Sequence, residues 1–205
     1  MQKKVQKILV ALTLFITTTT WATTAADELK ARLEKASNLS ADYSQTLTDF
    51  SGKILQKGNG ILKLKSPNLF RIENNKPQES VLVSDGKTLW FYDPFVEQAT
   101  ASWVKDVINN TPFVLLTNRD TKLWDQYKIS QQADTFTLIP LSQESSVKNF
   151  NIRIQKNGIL KNFSTTEKDG QSNLYILHNI SNQVIPKKIF EFHLPEGAEL
   201  DDQRQ

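Results

Sequence analysis

The side chains that could act in acid–base catalysis or bind a metal match no known catalytic or metal-binding motif in their spacing. The two histidines, His178 and His193, match no HExxH or similar metal motif in their spacing. We expect them to lie on strands and to face solvent or a hydrogen-bonded neighbour. Asp85 precedes a glycine in a typical hairpin turn, and Asp201-Asp202 lies in what we expect to be a frayed, solvated tail. The sequence therefore predicts no catalytic site.

The composition narrows the possible chemistry further. The 205 residues include no cysteine, which excludes disulfides, thiolate catalysis, cysteine-ligated zinc and lipid attachment to a cysteine. No GxSxG, P-loop, GxGxxG or EF-hand pattern is present, so we predict no metal and no cofactor. A secreted hydrolase stays open as an alternative, because hydrolytic residues can assemble from distant positions without a local motif.

Residues 1–22 have the features of a secretory signal peptide. Three lysines precede a short apolar run, and small residues follow it up to Ala22. The apolar run is about half as long as a membrane-spanning helix requires. We predict cleavage after Ala22, with Ala25 and Ala26 as alternatives, and a single mature domain over residues 23–205.

Removal of this peptide changes the charge of the protein. The full chain has 25 basic and 22 acidic residues and a pI of about 9.0. The three lysines are lost and no acidic residue is, so the mature chain is left with no net charge. A nucleic-acid-binding protein usually carries a basic stripe, and the mature chain has none. We therefore expect an exported protein that binds no nucleic acid.

The patterning of the mature chain predicts a mainly β fold. Leu29, Leu33 and Ala36 recur at helical spacing, which predicts an amphipathic helix over residues 27–37. Turn signals then recur at hairpin spacing, with strand-like runs between them. We predict about 11 strands in an antiparallel meander. They are 41–48, 61–65, 69–73, 80–84, 88–92, 124–130, 135–141, 150–155, 160–165, 173–180 and 188–193.

A segment in mid-chain interrupts the strands. Residues 102–110 and 111–117 are predicted as two short helices, with Thr111 as the cap of the second. The second helix is apolar on nearly all sides, so it must be covered on most of them. One helix before the sheet and two in its middle predict a shell with a lid of three short α-helices, enclosing a hydrophobic cavity.

Apolar and aromatic residues give the main positive signal. Residues 89–92 (LWFY) form an unbroken apolar run, and phenylalanines recur on separate predicted strands. One interpretation is that these side chains fill a barrel core. The helical segment favours another, because helices with apolar inner faces that swing away would open a ligand cavity.

The run SVLVSDGKTLWFYDPFVEQAT, residues 80–100, resembles the LolA family of outer-membrane lipoprotein carriers. Shorter motifs at 66–70 and 110–113, and the ending from 195, resemble it too. The resemblance implies an unclosed antiparallel β-barrel capped by three helices, acting as a monomer and not as an enzyme. It implies a periplasmic chaperone that accepts acylated lipoproteins from the inner-membrane ABC transporter LolCDE. The chaperone would deliver them to the outer-membrane receptor LolB.

The resemblance and the apolar pattern together suggest positions for an acyl-chain cavity or its lid. Leu33 and Phe70 match family positions at the lid and at the cavity. Four more positions are inferred from the apolar run and the second mid-chain helix: Trp90, Phe91, Phe113 and Leu115.

The chain departs from the family at one position. The family usually has Arg-Pro where this chain has Ser66-Pro67, and that arginine is associated with hydrogen bonds that hold the lid closed. Serine is uncharged and cannot make the fork of a guanidinium. At this lid-gating position, Ser66, either other contacts hold the lid or a neighbour such as Lys65 or Arg71 replaces the arginine, and we expect the closed state to be weaker.

A further function class stays open beside the carrier and the hydrolase. A general periplasmic binding protein for hydrophobic ligands or a regulatory partner would use the same shell. The receptor LolB shares the half-barrel architecture, but it is anchored through a cysteine, and the absence of cysteine excludes it here.

Overall fold

Strands account for most of the described part of the chain, residues 23–107 and 112–204 of a computed structural model. They are β1 Asn38–Thr48, β2 Ile54–Lys65, β3 Leu69–Lys76, β4 Ser80–Asp85, β5 Thr88–Asp93, β6 Gln98–Trp103, β7 Tyr127–Gln132, β8 Thr135–Pro140, β9 Val147–Ile154, β10 Leu160–Glu167, β11 Ser172–Ser181 and β12 Glu199–Asp202. The α-helices are α1 Ala25–Lys35, α2 Val104–Val107, α3 Pro112–Thr117 and α4 Thr121–Trp124. A 3-10 helix covers Lys187–Phe190.

The twelve strands form one sheet with two free edges. Their order is β12-β6-β5-β4-β3-β2-β1-β11-β10-β9-β8-β7. Neighbouring strands are antiparallel except β6 and β12, which run parallel. The edge strands β7 and β12 do not pair with each other, so the barrel is unclosed. The predicted mainly β, antiparallel and unclosed architecture is confirmed.

The two faces of the sheet bury different side chains. We call the face that packs on the helices the inner face, and its apolar residues together with those of the helices the inner cluster. A smaller outer cluster on the opposite face contains Leu69, Val83, Ile185 and Phe190. In β3, Phe70 belongs to the inner cluster and Leu69 to the outer one, as alternation along a strand requires.

Helix α1 is positioned by its cap, its apolar side and a glycine turn. The Thr24 hydroxyl accepts a hydrogen bond of 3.1 Å from a backbone N–H of the first turn. Leu29 and Leu33 are buried in the inner cluster. The turn between β9 and β10 packs on the end of the helix, where a Cβ on Gly158 would lie 2.5 Å from the Cβ of Lys35. Gly158 also has φ +87°. Any other residue at this position would crowd Lys35 and strain the backbone.

The mid-chain helices differ from the predicted pair. The first was predicted to begin at Ser102, but β6 continues through Trp103, which pairs with Thr88 on β5, and α2 covers only four residues. Residues 108–111, which include the predicted cap Thr111, lie outside the described part. In the described ranges, no helix is long and apolar enough to cross a membrane.

The segment after the second predicted helix also differs. A fourth helix, α4, ends at Trp124, where the sequence predicted the start of a strand. The strand β7 begins at Tyr127 instead. The apolar side chains of Leu123 and Trp124 are buried together in the inner cluster, which a short helix achieves and an edge strand does not.

The predictions for the end of the chain are wrong. The predicted strand at 188–193 is a 3-10 helix followed by coil, because Phe190 packs into the outer cluster as the chain crosses the sheet. The expected frayed tail contains β12, and the next residue, Gln203, donates its N–H to the carbonyl of Ala101 at 2.8 Å. The partner strand β6 was missed because its buried residues, Ala99 and Ala101, are poor strand signals.

Candidate functional site

The inner face and the helices above it bring three of the predicted site residues together. Leu33 from α1, Phe70 from β3 and Leu115 from α3 all belong to the inner cluster. Their side chains are 1%, 0% and 3% exposed, respectively. The cluster is the place where apolar side chains of the sheet meet apolar side chains of the helices, so a ligand held between them would meet hydrocarbon on both sides.

Trp90 is not grouped with those residues. Its neighbour Leu89 packs on the inner cluster, whereas Trp90 lies on the outer face. Its ring stacks on Phe192 with centroids 5.1 Å apart, and the guanidinium of Arg204 lies 4.8 Å from its centroid. The inference from an unbroken apolar run overlooked the alternation of side chains along a strand. The structure therefore places Trp90 away from the candidate cavity.

Phe91 is partly exposed, and the side chain of Phe113 is not described. Phe91 shares the inner side of β5 with Leu89 but is 43% exposed. It lines a cavity of about 280 Å³ together with Gln45 and Tyr175. Phe113 belongs to α3, but its side chain lies outside the described part, so its role stays a prediction.

Four aromatic rings form a row across the inner face. Phe150 and Phe163 have centroids 6.3 Å apart, and Phe163 stacks on Tyr175 at 4.8 Å. Tyr43 follows at 5.5 Å from Tyr175. The rings come from β9, β10, β11 and β1, which are neighbours in the sheet. The row gives the inner face a continuous apolar wall with polar groups only at its tyrosine end.

A hydrogen-bond network satisfies that polar end. The Tyr43 hydroxyl donates to Asn74, and Asn173 donates to the Tyr175 hydroxyl at 3.2 Å. Gln45 donates to Asn173 at 3.0 Å. Burial raises the pKa of Tyr175 to about 12, and burial, with a smaller effect of Tyr175, also raises the pKa of Tyr43. Both phenols are therefore neutral at ordinary pH and put no charge on the inner face.

Arg32 fastens α1 to the sheet, and the sequence analysis did not identify it. Arg32 is buried, with 1% of its surface exposed. The guanidinium donates to Glu28, to Asp134 and to the carbonyl of Ile154, each at 2.7 Å. It also lies 5.1 Å from the ring centroid of Phe136. Since Asp134 lies between β7 and β8, Arg32 ties the helix to the far edge of the sheet.

Arg119 connects α1 with the segment between α3 and α4. It donates to the carbonyl of Leu33 at 2.8 Å and to that of Asn118 at 3.2 Å. Burial lowers the pKa of Arg119, and the charge of Glu34 partly opposes that effect. The bond to Leu33 satisfies a carbonyl in the last turn of α1. We call the α-helices that pack on the inner face the helical cover. Arg119 is thus a direct polar link between two parts of this cover.

Ser66 lies beside a surface cavity of about 520 Å³. Its backbone N–H donates to the carbonyl of Ser37 at 2.9 Å, just after α1. The two residues expected to replace the family arginine bond elsewhere. Lys65 donates to the carbonyl of Ile185 at 2.6 Å, and Arg71 pairs with Glu73 on its own strand at 2.5 Å. The arginine that joins helical segments is Arg119 instead.

Two buried polar atoms have no hydrogen-bond partner in the described part of the chain. They are the Oδ1 atom of Asn68 and the Nε1 atom of Trp124. Asn68 lines the same cavity as Ser66, and its backbone N–H donates to the carbonyl of Thr117 at 3.4 Å. Nothing in the sequence pattern pointed to either atom, because hydrogen-bond satisfaction depends on the tertiary packing.

The site offers little for acid–base or metal chemistry. His178 is exposed on β11, where its Nε2 lies 3.0 Å from the Ser44 hydroxyl, and His193 is exposed in the coil after the 3-10 helix. Searching the described ranges finds no group of three or more His, Cys, Asp or Glu side chains that could hold a metal ion. What the arrangement can do is remove apolar groups from water.

Comparison with known proteins points to one family. The model of the family described as "Outer membrane lipoprotein carrier protein LolA" matches residues 34–193. A protein of Pasteurella multocida named "Outer-membrane lipoprotein carrier protein" is 58% identical over 205 residues, covering 100% of both chains. A protein of the same name from Actinobacillus succinogenes is 55% identical, covering 99% of this chain and 98% of its own.

Solved structures share the fold at low identity. A conserved protein from Thermus thermophilus superposes with a TM-score of 0.56 at 14% identity, covering 88% of this chain and 100% of its own. A LolA superfamily protein from Nitrosomonas europaea gives a TM-score of 0.50 at 12% identity, covering 83% of this chain and 99% of its own. These likenesses concern the architecture alone.

Proposed function

Because the chain belongs to the LolA family of outer-membrane lipoprotein carrier proteins, we propose that it is a periplasmic chaperone for acylated lipoproteins. It accepts a lipoprotein at the inner membrane, shelters the acyl chains from water, and gives the lipoprotein up at the outer membrane. It catalyses no reaction, and it acts as a monomer. Family membership favours this role over that of a general binder of hydrophobic ligands.

The observation that carries the proposal is the inner cluster itself. Leu33, Phe70 and Leu115 place aliphatic and aromatic groups on both sides of the boundary between helices and sheet. Chains that enter along this boundary beside these three residues would separate hydrocarbon from hydrocarbon. The phenols at the end of the aromatic row are neutral, so they put no ionised group beside the chains.

The free-energy cost of exposing acyl chains to water supports a dedicated carrier. A lipoprotein anchor has about three chains of about 15 methylenes, and each methylene contributes about 0.8 kcal/mol when it leaves water. Exposing the anchor would cost on the order of 35 kcal/mol. A deformable apolar surface offsets this cost without polar anchors that would retain the cargo.

The partners and the compartment follow from the same role. We propose that the inner-membrane ABC transporter LolCDE supplies the lipoprotein and that the receptor LolB takes it at the outer membrane. Residues 1–22 act as a cleavable export signal, and residues 23–205 form the mature carrier domain. The energy for releasing the lipoprotein from the inner membrane comes from the transporter, since the carrier has no nucleotide-binding motif.

A release assay tests this function. Spheroplasts that have synthesised labelled lipoproteins are incubated with the purified mature chain, with serum albumin, or with buffer. The carrier role predicts labelled lipoproteins in the supernatant, complexed with the mature chain, and none with buffer. Albumin binds acyl chains but has no site for the transporter, so it serves as the control for a general hydrophobic binder. Equal release by albumin and by the mature chain would contradict the carrier role.

A further inference from the structure

Trp124, the last residue of α4, has a buried donor that the described part of the chain leaves without an acceptor. The residue is 2% exposed. Its Nε1 atom is inaccessible to solvent and has no hydrogen-bond partner within the described ranges. An indole N–H is a donor only, so just an acceptor can satisfy it.

The surroundings of Trp124 explain why no acceptor is found. Trp124 lies in the inner cluster, whose members are almost all aliphatic or phenylalanine side chains. An unmade hydrogen bond is costly in an apolar interior, and a phenylalanine would have no donor to leave unpaired. The indole is therefore suited to a partner that enters the cluster.

We propose that the Nε1–H group of Trp124 donates a hydrogen bond to a carbonyl oxygen of a bound acyl chain. This inference rests on the proposed carrier function. It identifies the acyl carbonyl as the feature of the cargo that the inner cluster recognises. An ester-linked or amide-linked acyl chain has one carbonyl, at its head, and none along its tail. A bond from Trp124 would therefore fix the head of a chain beside α4 and direct its tail along the inner face.

A single neutral hydrogen bond suits a carrier. It contributes about a three- to tenfold difference in affinity, far less than the apolar contacts of a whole chain. The bond would orient the cargo and distinguish acyl chains from plain alkyl chains. It would not be strong enough to prevent transfer.

Two lipopeptides separate this role from simple packing. One is a triacylated lipopeptide with its ester and amide carbonyls, and the other is its trialkyl analogue, in which carbon–carbon bonds attach the three chains and no oxygen is left at their heads. The variant Trp124→Phe keeps most of the ring but removes the donor, and Trp90→Phe on the outer face is the matched control. We expect Trp124→Phe to bind the acylated lipopeptide about three- to tenfold more weakly and the alkyl analogue as the wild type does. Trp90→Phe should change neither affinity.

A spectroscopic measurement on the wild type covers the case in which Trp124→Phe folds poorly. With ¹⁵N-labelled tryptophan, the indole N–H signal of Trp124 should move downfield on binding the acylated lipopeptide and move less with the alkyl analogue. Equal shifts with both ligands, or equal loss of both affinities in the variant, would overturn the inference while leaving the carrier function intact. If the wild type binds neither lipopeptide, the carrier function itself fails.

Discussion

Arg32 is a charged side chain at the base of the helical cover, and two of its three hydrogen bonds reach parts of the chain that are distant in sequence. The bond to Ile154 is buried, whereas the carboxylates of Glu28 and Asp134 are 34% and 40% exposed. The carboxylates can regain water if the guanidinium is removed. The buried carbonyl and the ring of Phe136 cannot be compensated in that way.

We expect Arg32→Ala to lower the free energy of unfolding by about 2 kcal/mol, because a buried acceptor is left unpaired and a packed stem is lost. Urea denaturation of the mature chain measures this. The control is Arg71→Ala, whose partner Glu73 lies on the same strand, and it should change the value by less than about 0.5 kcal/mol. Similar midpoints for the two variants would show that Arg32 does not anchor α1.

At the residue scale, sequence reasoning found the apolar members of the site but not the polar ones. Leu33 stands out because helical periodicity marks a buried side, and Leu115 because it belongs to a helix that is apolar on nearly all sides. Trp90 was misplaced because an apolar run on a strand does not tell which side chain faces inward. Arg119 and Trp124 gave no signal, since their roles depend on a carbonyl or an apolar cluster brought near only by the fold.

Polar contacts from outside the helices help to hold the helical cover in place. Arg119 is a link from the segment after α3 to α1, and Ser66 lies beside a cavity with room for a longer side chain. Opening of the cover would therefore depend more on Arg119 than on the family position at Ser66.

We expect opposite effects from two substitutions on the uptake of a hydrophobic fluorescent dye. Arg119→Ala should increase the rate of uptake several-fold, because α1 loses its bond through Leu33, and Ser66→Arg should decrease it. Dye fluorescence in stopped-flow mixing measures both rates. Arg153→Ala, at an exposed position on β9, is the control. Unchanged uptake in Arg119→Ala and Ser66→Arg would contradict a gated cover.

The end of β12 carries an acid-sensitive contact. Asp202 accepts from the guanidinium of Arg204 at 2.8 and 2.5 Å, and these bonds are the main reason why its pKa is lowered to about 2. A carboxyl with a lowered pKa in the folded state stabilises that state above its ordinary pKa of 3.8 and loses this effect as the pH falls through about 2.

We expect the contact of the chain end with β6 to loosen between about pH 4 and pH 2. The chemical shift of the Gln203 N–H, which is bonded to Ala101, reports the loosening. Asp202→Asn should show the loosened shift throughout and no transition in this range, whereas Glu199→Gln, at an exposed position on β12, should behave as the wild type. A transition of the same size in Asp202→Asn would assign the effect to another group.

At the element scale, the strands with alternating, β-rich sequences were predictable and those without were not. Strand β5 follows a glycine turn and is rich in aromatic residues, so its position was clear. Strand β6 relies on small alanines under the outer face, and β12 is mostly acidic. Their pairing is a property of the finished sheet, because a parallel edge strand gains its hydrogen bonds only from a partner already in place.

For the whole molecule, the two faces of the sheet differ in what they pack against. The inner face packs on the helices and shows no fixed charge along its aromatic row, whereas the outer face carries the tryptophan–arginine stack of Trp90 and Arg204. This asymmetry gives the central claim of the account, which is that acyl chains lie against the inner face and not on the outer one.

Quenching by brominated acyl chains tests that claim most directly. A triacylated lipopeptide with bromine atoms along its chains is bound to two variants of the mature chain. One keeps Trp124 as its sole tryptophan, and the other keeps Trp90. The account predicts that the fluorescence of Trp124 is strongly quenched and that of Trp90 is not. Quenching of Trp90 with Trp124 unaffected would place the chains on the outer face and contradict it.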